Sequence, residues 1–268
     1  MALEARNIKV HFGGVVALRD VSMSLSPGRI FGAIGPNGSG KSTLFNAISG
    51  FVPLASGQVA IDGRDVSGLP PEARVRNGLA RSFQTPRFDP QMTVEETVMC
   101  GFYSRARSGL FDALVSSPRV RKEEREFEAS CRMILKQLEL ADLSTALVGE
   151  VPMGKVRLVE VARAIAGDPK YVLLDEPAAG LSRVELSALA NVIRRVADLG
   201  VGVFLVEHNF HLVKALCESV LVLNRGSALT SGRPQDVARD PEFIKAYLGN
   251  SGTLDPNVDA TVRKVAQE

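Results

Sequence analysis

Gly35-Pro36-Asn37-Gly38-Ser39-Gly40-Lys41-Ser42-Thr43 fits the pattern G-x-x-x-x-G-K-[ST] at every position. Its glycines let the backbone turn tightly enough for successive N–H groups to face phosphate oxygens, which bulkier residues would obstruct. Lys41 supplies a point charge for β- and γ-phosphates, and Ser42 a hydroxyl for Mg²⁺. The flanks agree with this reading. Ile30-Phe31-Gly32-Ala33-Ile34 has the character of a buried strand, and Leu44-Phe45-Asn46-Ala47-Ile48 predicts a helix ending at Gly50. That helix would place the positive end of its dipole beneath the phosphates.

The rest of the chain bounds what this cradle serves. With 268 residues and 45% hydrophobic side chains, a sizeable core is available, and the single phosphate loop predicts one such core without internal duplication. No apolar run reaches the ~18 residues of a membrane span. The opening Met1-Ala2-Leu3-Glu4-Ala5-Arg6 lacks the apolar core of a secretory signal, so the expected location is cytoplasmic. Cys100, Cys131 and Cys217 have no metal-ligand spacing and are expected to be reduced, partly buried thiols. A net charge of +2 argues against nucleic acid as a partner. The basic cluster Arg119-Val120-Arg121-Lys122 is cancelled by Glu123-Glu124-Arg125-Glu126 and reads as a solvated helix face.

Turn signals at Gly13-Gly14 and Ser26-Pro27-Gly28 divide the first 34 residues into short strands of a small antiparallel sheet. Residues Gly57 to Gly63 read as a further strand and turn of that layer. From about Thr93 to Ala166 the period becomes helical, with Phe127, Cys131, Ile134, Leu135 and Leu138 on one face. After Asp168-Pro169 the chain returns to α/β alternation. Tyr171 to Leu174 and Val203 to Val206 are strands, and Ser182 with Glu185 forms a capping box opening a helix toward Gly200. Ser219 to Leu223, the turn Asn224-Arg225-Gly226 and Ala228 to Thr230 predict a closing hairpin, and Pro241 and Gly249 frame a last helix.

A phosphate loop needs an acidic element to hold the metal and activate water, and Leu173-Leu174-Asp175-Glu176 delivers two carboxylates at a strand end. Asp175 would hold Mg²⁺, and Glu176 would polarise the attacking water. The loop at 35 to 43, Gln84, Gly154 at a helix start, Asp175-Glu176 and His208 stand in an order that resembles the ATP-binding-cassette ATPases over nearly the whole chain. The resemblance implies an α/β fold: a P-loop cassette with an antiparallel β subdomain and an inserted helical subdomain. It places the ATPase domain at residues 1–249, with the helical subdomain at about 85–166, and a tail at 250–268. It implies ATP and Mg²⁺ as cofactors, with Gln84 contacting the metal and water and sensing the membrane partner. His208 would contact the γ-phosphate, and Phe12 would stack on adenine.

Further segments narrow the resemblance: Gly109-Leu110-Phe111, Asp175 through Leu181, Val206-Glu207-His208-Asn209 and Ala246-Tyr247-Leu248-Gly249 are similar to the ATPase subunits of branched-chain amino acid importers. In such importers the chain would pair with a second, homologous or identical ATPase, dock on two integral-membrane permeases and serve a periplasmic or extracellular binding protein. It would sit on the inner face of the membrane. The groove near Gln84 and the segment Thr85-Pro86-Arg87-Phe88 would carry the motion to the permeases. Lipopolysaccharide-export ATPases share the terminal Tyr-Leu-Gly, and soluble cassette ATPases share the chemistry. The segment Tyr103 to Arg125 favours import. One departure stands out, since the family's signature Leu-Ser-Gly-Gly-Gln is here Val151-Pro152-Met153-Gly154-Lys155. Pro152 brings neither a hydroxyl nor an N–H, and Lys155 is expected to compensate by attraction to the γ-phosphate of the partner's ATP. Ser182 stands where many relatives have Asp, and serves as a helix cap.

Overall fold

The computed structural model describes residues 1–82, 88–103 and 118–248. Strands β1 (Leu3–Phe12) and β2 (Val15–Leu25) form a hairpin of 10 and 11 residues, longer than the short strands expected. Register shifts along β1 keep its apolar side inward over that length. The next strand, β3 (Ile30–Ile34), leaves this layer, while β4 (Ser56–Ile61) and β5 (Arg64–Asp65) return to it, giving the antiparallel order β2-β1-β4-β5.

The second sheet combines β3 with β6 (Leu79–Arg81), β7 (Tyr171–Asp175), β8 (Gly202–Val206), β9 (Ser219–Asn224) and β10 (Ser227–Gly232). Its order is β10-β9-β3-β8-β7-β6, parallel except for the edge strand β10. Strand alternation sends side chains to opposite faces. Tyr171, Leu173, Phe204, Val206, Leu221 and Leu223 join the core shared with the antiparallel layer. Val172, Leu174, Val203, Leu205, Val220 and Val222 join the core beneath the helices on the other face. Each such side chain contributes about 1.5–3 kcal/mol on burial, which commits both faces of the central strands.

The helices are α1 (Lys41–Ser49), α2 (Pro71–Arg76), α3 (Val94–Phe102), α4 (Pro118–Gln137), α5 (Met153–Ala166), α6 (Arg183–Asp198), α7 (Phe210–Leu216), α8 (Pro234–Val237) and α9 (Pro241–Leu248). The reading of residues 93 to 166 as helical agrees with α3, α4 and α5. A capping box of Thr93 and Glu96 opens α3, whose Val94, Thr97, Val98 and Phe102 are buried. Its Gly101 lies so close to α5 that a β-carbon there would stand 2.2 Å from the Arg163 carbonyl oxygen. Phe102 stacks on Phe127 of α4 with ring centroids 5.2 Å apart.

All three cysteines are free, as expected, but their burial differs from the expectation. Cys131 and Cys217 are buried, whereas Cys100 is exposed because it lies off the buried stripe of α3. Burial pushes the Cys131 thiol up to about 12, with Glu95 adding to the effect.

Candidate nucleotide site

The phosphate loop runs from β3 into α1 at the C-terminal edge of the parallel sheet, where open α/β sheets bind ligands. Gly38 and Gly40 take left-handed backbone angles (φ 76° and 108°), and an added β-carbon at Gly38 would meet nothing within 4 Å. The loop backbone is therefore open toward a ligand at Gly38. It is closed on the other side, since a β-carbon at Gly35 would lie 2.2 Å from the Leu223 carbonyl oxygen. The turn between β9 and β10 clamps the loop from behind. Gly226 donates its N–H to the Ser39 carbonyl at 2.9 Å, and its own carbonyl accepts from Arg19 at 2.8 Å.

Lys41 folds back over the loop, donating from Nζ to the Gly35 carbonyl at 2.7 Å and the Pro36 carbonyl at 3.2 Å. Burial pulls its ammonium below the ordinary lysine value, while Glu176, Asp175 and Glu207 oppose that pull. The Ser39 hydroxyl is buried with no protein hydrogen-bond partner. A row of N–H groups at a helix start, a lysine and an unpaired buried hydroxyl form a donor-rich surface that suits phosphate.

The cleft over this loop has a volume of about 480 Å³ and is lined by Asn37 through Thr43, Glu176, Arg225 and the end of the β1–β2 hairpin. Asp175 ends β7 almost buried, its N–H donating to Ser82 Oγ at 3.3 Å. Burial pushes its carboxyl above the ordinary aspartate value, Glu176 adds to the push, and Arg81 and Lys41 counter it. Glu176 follows with a left-handed φ of 46°, its N–H donating to the Val206 carbonyl at 2.9 Å. Among the described residues no group of three or more His, Cys, Asp or Glu could hold a metal. Mg²⁺ takes one or two protein oxygens and completes its shell with phosphate and water; the Ser42 hydroxyl in the cleft wall and the Asp175 carboxylate at the end of β7 are oxygen donors of that kind.

Asn37 to Thr43 and Glu176 line one cleft, and Asp175 lies near enough to oppose the effect of burial on Lys41. His208 follows β8, and its N–H donates to the Glu207 carboxylate at 3.2 Å. Phe12 sits half exposed opposite Val15 at the hairpin tip, and the cleft wall is made by Val15, Val16 and Ala17. Gln84 and Thr85-Pro86-Arg87 lie outside the described residues, as do Gly109-Leu110-Phe111, Gly249 and the tail at 250–268. Gly154 lies in the first turn of α5, which opens at Pro152 without a side-chain cap. The Glu185 carboxylate accepts its N–H, and a β-carbon at Gly154 would come within 2.2 Å of Glu185 Oε1.

The sequence assigned no site role to Val15, Val16, Ala17, Arg19, Arg81, Arg225 or Glu207. The first four and Arg225 reach the cleft where the end of the β1–β2 hairpin meets the β9–β10 turn, and no local pattern announces them. Arg81 donates to Asn46 Oδ1 and Ser49 Oγ at 3.1 and 3.0 Å, with its guanidinium over the rings of Phe45 and Phe51.

A phosphate loop at the C-terminal edge of a parallel sheet, an acidic strand end facing it and an antiparallel layer alongside define a nucleotide-binding ATPase cassette. The chain belongs to the ABC transporter family, whose model matches residues 18–179. It is 32% identical over 250 residues to the high-affinity branched-chain amino acid transport ATP-binding protein BraF of Pseudomonas aeruginosa, covering 93% of this chain and 98% of that one. It is also 32% identical over 248 residues to the lipopolysaccharide export system ATP-binding protein LptB of Acidithiobacillus ferridurans, covering 92% and 97%. The crystal structure of the ADP conformation of MJ1267, an ATP-binding cassette of an ABC transporter, superimposes with a TM-score of 0.81 at 31% identity, covering 93% of this chain and all of that one.

Proposed function

We propose that the chain is the ATP-hydrolysing subunit of an importer that takes up branched-chain or related amino acids. The observation that carries this reading is the near full-length similarity to a branched-chain amino acid transport ATP-binding protein. In this reading the loop at 35 to 43 holds the phosphates of ATP, Ser42, Asp175 and Gln84 hold Mg²⁺, and Phe12 stacks on the adenine from the hairpin tip. Mg²⁺ would neutralise charge developing on the phosphates. Glu176 orients and polarises the water, and His208 contacts the γ-phosphate. Phosphoryl transfer asks for positioning and charge stabilisation rather than covalent work, which suits a lysine and two carboxylates facing a row of N–H donors.

A second cassette, identical or homologous, completes each site through the N-terminus of its α5, where Gly154 and Lys155 lie. Residues 1–249 act as the ATPase domain, with about 85–166 as its helical subdomain and 250–268 as a tail. No helix among the described residues is long and apolar enough to cross a membrane, so attachment to the inner face would come from two permeases, fed by a binding protein outside. A groove of about 690 Å³ between α3 and α4, with Asp89, Met92, Glu95 and Met99 in its walls, is larger than the nucleotide cleft of about 480 Å³.

The relative named for lipopolysaccharide export favours a second reading, an exporter ATPase with the same chemistry. Reconstitution of the chain with its co-purified permeases in vesicles separates the two. ATP-driven accumulation of labelled leucine, isoleucine or valine in the presence of the binding protein is the expected result. ATP turnover stimulated by lipopolysaccharide, without amino acid uptake, would replace import by export.

A further inference from the structure

Glu207 is 0% exposed and does not line the nucleotide cleft, yet it stands between the two turns that carry Glu176 and His208. Those turns leave neighbouring parallel strands at the same level, since Asp175 of β7 pairs with Val206 of β8. The Glu207 backbone continues the sheet, donating its N–H to the Ala33 carbonyl at 3.1 Å. Its carboxylate then reaches both turns. Oε1 accepts the N–H of Ala178 at 2.9 Å, Oε2 accepts that of His208 at 3.2 Å, and the Asn209 N–H adds a further bond.

We infer that Glu207 is a positioning residue that fixes the Glu176 turn and the His208 turn relative to each other, and so sets the geometry of ATP hydrolysis. The inference rests on the roles proposed above for those two residues.

Three observations lead there. A buried carboxylate is costly, and it is retained where its oxygens are fully used. Here no neutral side chain could replace it, because an amide offers a single acceptor oxygen and would turn its NH₂ toward N–H donors of one turn or the other. An apolar residue would leave those buried donors unmatched. Second, the Glu176 backbone sits at φ 46°, which L-residues adopt only where the surroundings impose it. Its turn is held by its own N–H on the Val206 carbonyl, by the Ala179 N–H on its carbonyl at 3.2 Å, and by the Ala178 N–H on Glu207. Third, the other turn is pinned on its far side, since Asn209 Oδ1 caps α7 by accepting the Leu212 N–H at 3.1 Å. Glu207 thus joins a strained turn to a capped helix. Burial pushes its carboxyl upward, with the backbone donors and His208 opposing.

The test is a double-mutant cycle of Glu207→Gln and His208→Ala in the assembled transporter, reading ATP turnover, KM for ATP, equilibrium nucleotide binding and thermal midpoint. Glu207→Gln is expected to lower kcat by about tenfold or more while KM and nucleotide affinity stay within about threefold. In the His208→Ala background the same change is expected to cost less than about threefold, because residues acting as a unit are not additive. Turnover within threefold of wild type, an equal loss in both backgrounds, or a parallel loss of nucleotide affinity would each overturn the inference. Should Glu207→Gln fail to fold, Glu207→Asp, which keeps the charge and draws it back by one methylene, is read by the same criteria. Wild-type turnover in His208→Ala or Glu176→Gln alone would instead remove the roles on which the inference stands.

Discussion

Arg74 is 2% exposed and donates to four backbone carbonyls, those of Ala47, Ile48, Ser67 and Leu69. Two of these acceptors belong to the last turn of α1, so a residue far from the phosphates closes the C-terminus of the helix whose N-terminus faces them. Replacing it by Met would keep much of the packing and remove a hydrogen bond from each of those carbonyls, of which Ala47 still accepts the Gly50 N–H at 3.3 Å. Arg74→Met is expected to lower unfolding free energy by about 2–4 kcal/mol in urea titration; a loss under about 0.5 kcal/mol would show that α1 closes without it. The contrast with Lys41 explains what sequence discloses at this scale. Lys41 is legible because its chemistry is fixed by immediate neighbours, Gly40 and Ser42. Arg74 meets its α1 acceptors across 26 and 27 residues of chain, and no spacing records that. Glu207 was visible only as part of a resemblance, since its partners Ala178 and His208 come together through the pairing of β7 with β8.

The phosphate loop is shaped by elements as much as by its own residues. The turn between β9 and β10 presses Gly226, at φ 82°, against the hairpin end, where an added β-carbon would stand 2.6 Å from the Ala17 carbonyl oxygen. Gly226 also holds the Ser39 carbonyl. Gly226→Ala therefore forces the turn away from the loop, and ATP affinity is expected to fall by about tenfold or more, measured by equilibrium binding of a fluorescent nucleotide. Unchanged affinity would mean that the loop keeps its shape without this clamp. Most elements were legible. Val203 to Val206 is a strand whatever its neighbours, because an apolar run between turn signals allows little else. Sheet order was not legible, and with it went the hairpin wall of the cleft, because Val15, Val16 and Ala17 look like ordinary strand residues until β2 is set beside the loop.

At the scale of the molecule the two sheets must move as one body if closure around ATP is to reach the permeases. Asp62, just past β4, ties them, accepting from Lys170 Nζ at 2.5 Å and from the Tyr171 hydroxyl at 2.8 Å at the start of β7. Burial acts to raise the Asp62 carboxyl, but these hydrogen bonds and the Lys170 charge outweigh it and hold it below its ordinary value of 3.8. A depressed carboxylate stabilises the fold at pH above its unfolded value and loses that contribution as pH falls through the folded one. The gap in thermal midpoint between wild type and Asp62→Asn is expected to be constant at neutral pH and to close on acidification below that value. A gap that widens there would contradict the tie.

Hydrolysis by a site built on β3, β7 and β8 is the central claim, and Glu176 is where it can be tested most directly. Steady-state ATP turnover of Glu176→Gln in the assembled transporter is the measurement, with nucleotide binding recorded on the same preparation. Binding is expected to persist and turnover to drop by about a hundredfold or more. Turnover within about threefold of wild type would contradict it, because the carboxylate facing the phosphate loop would then have no part in activating water.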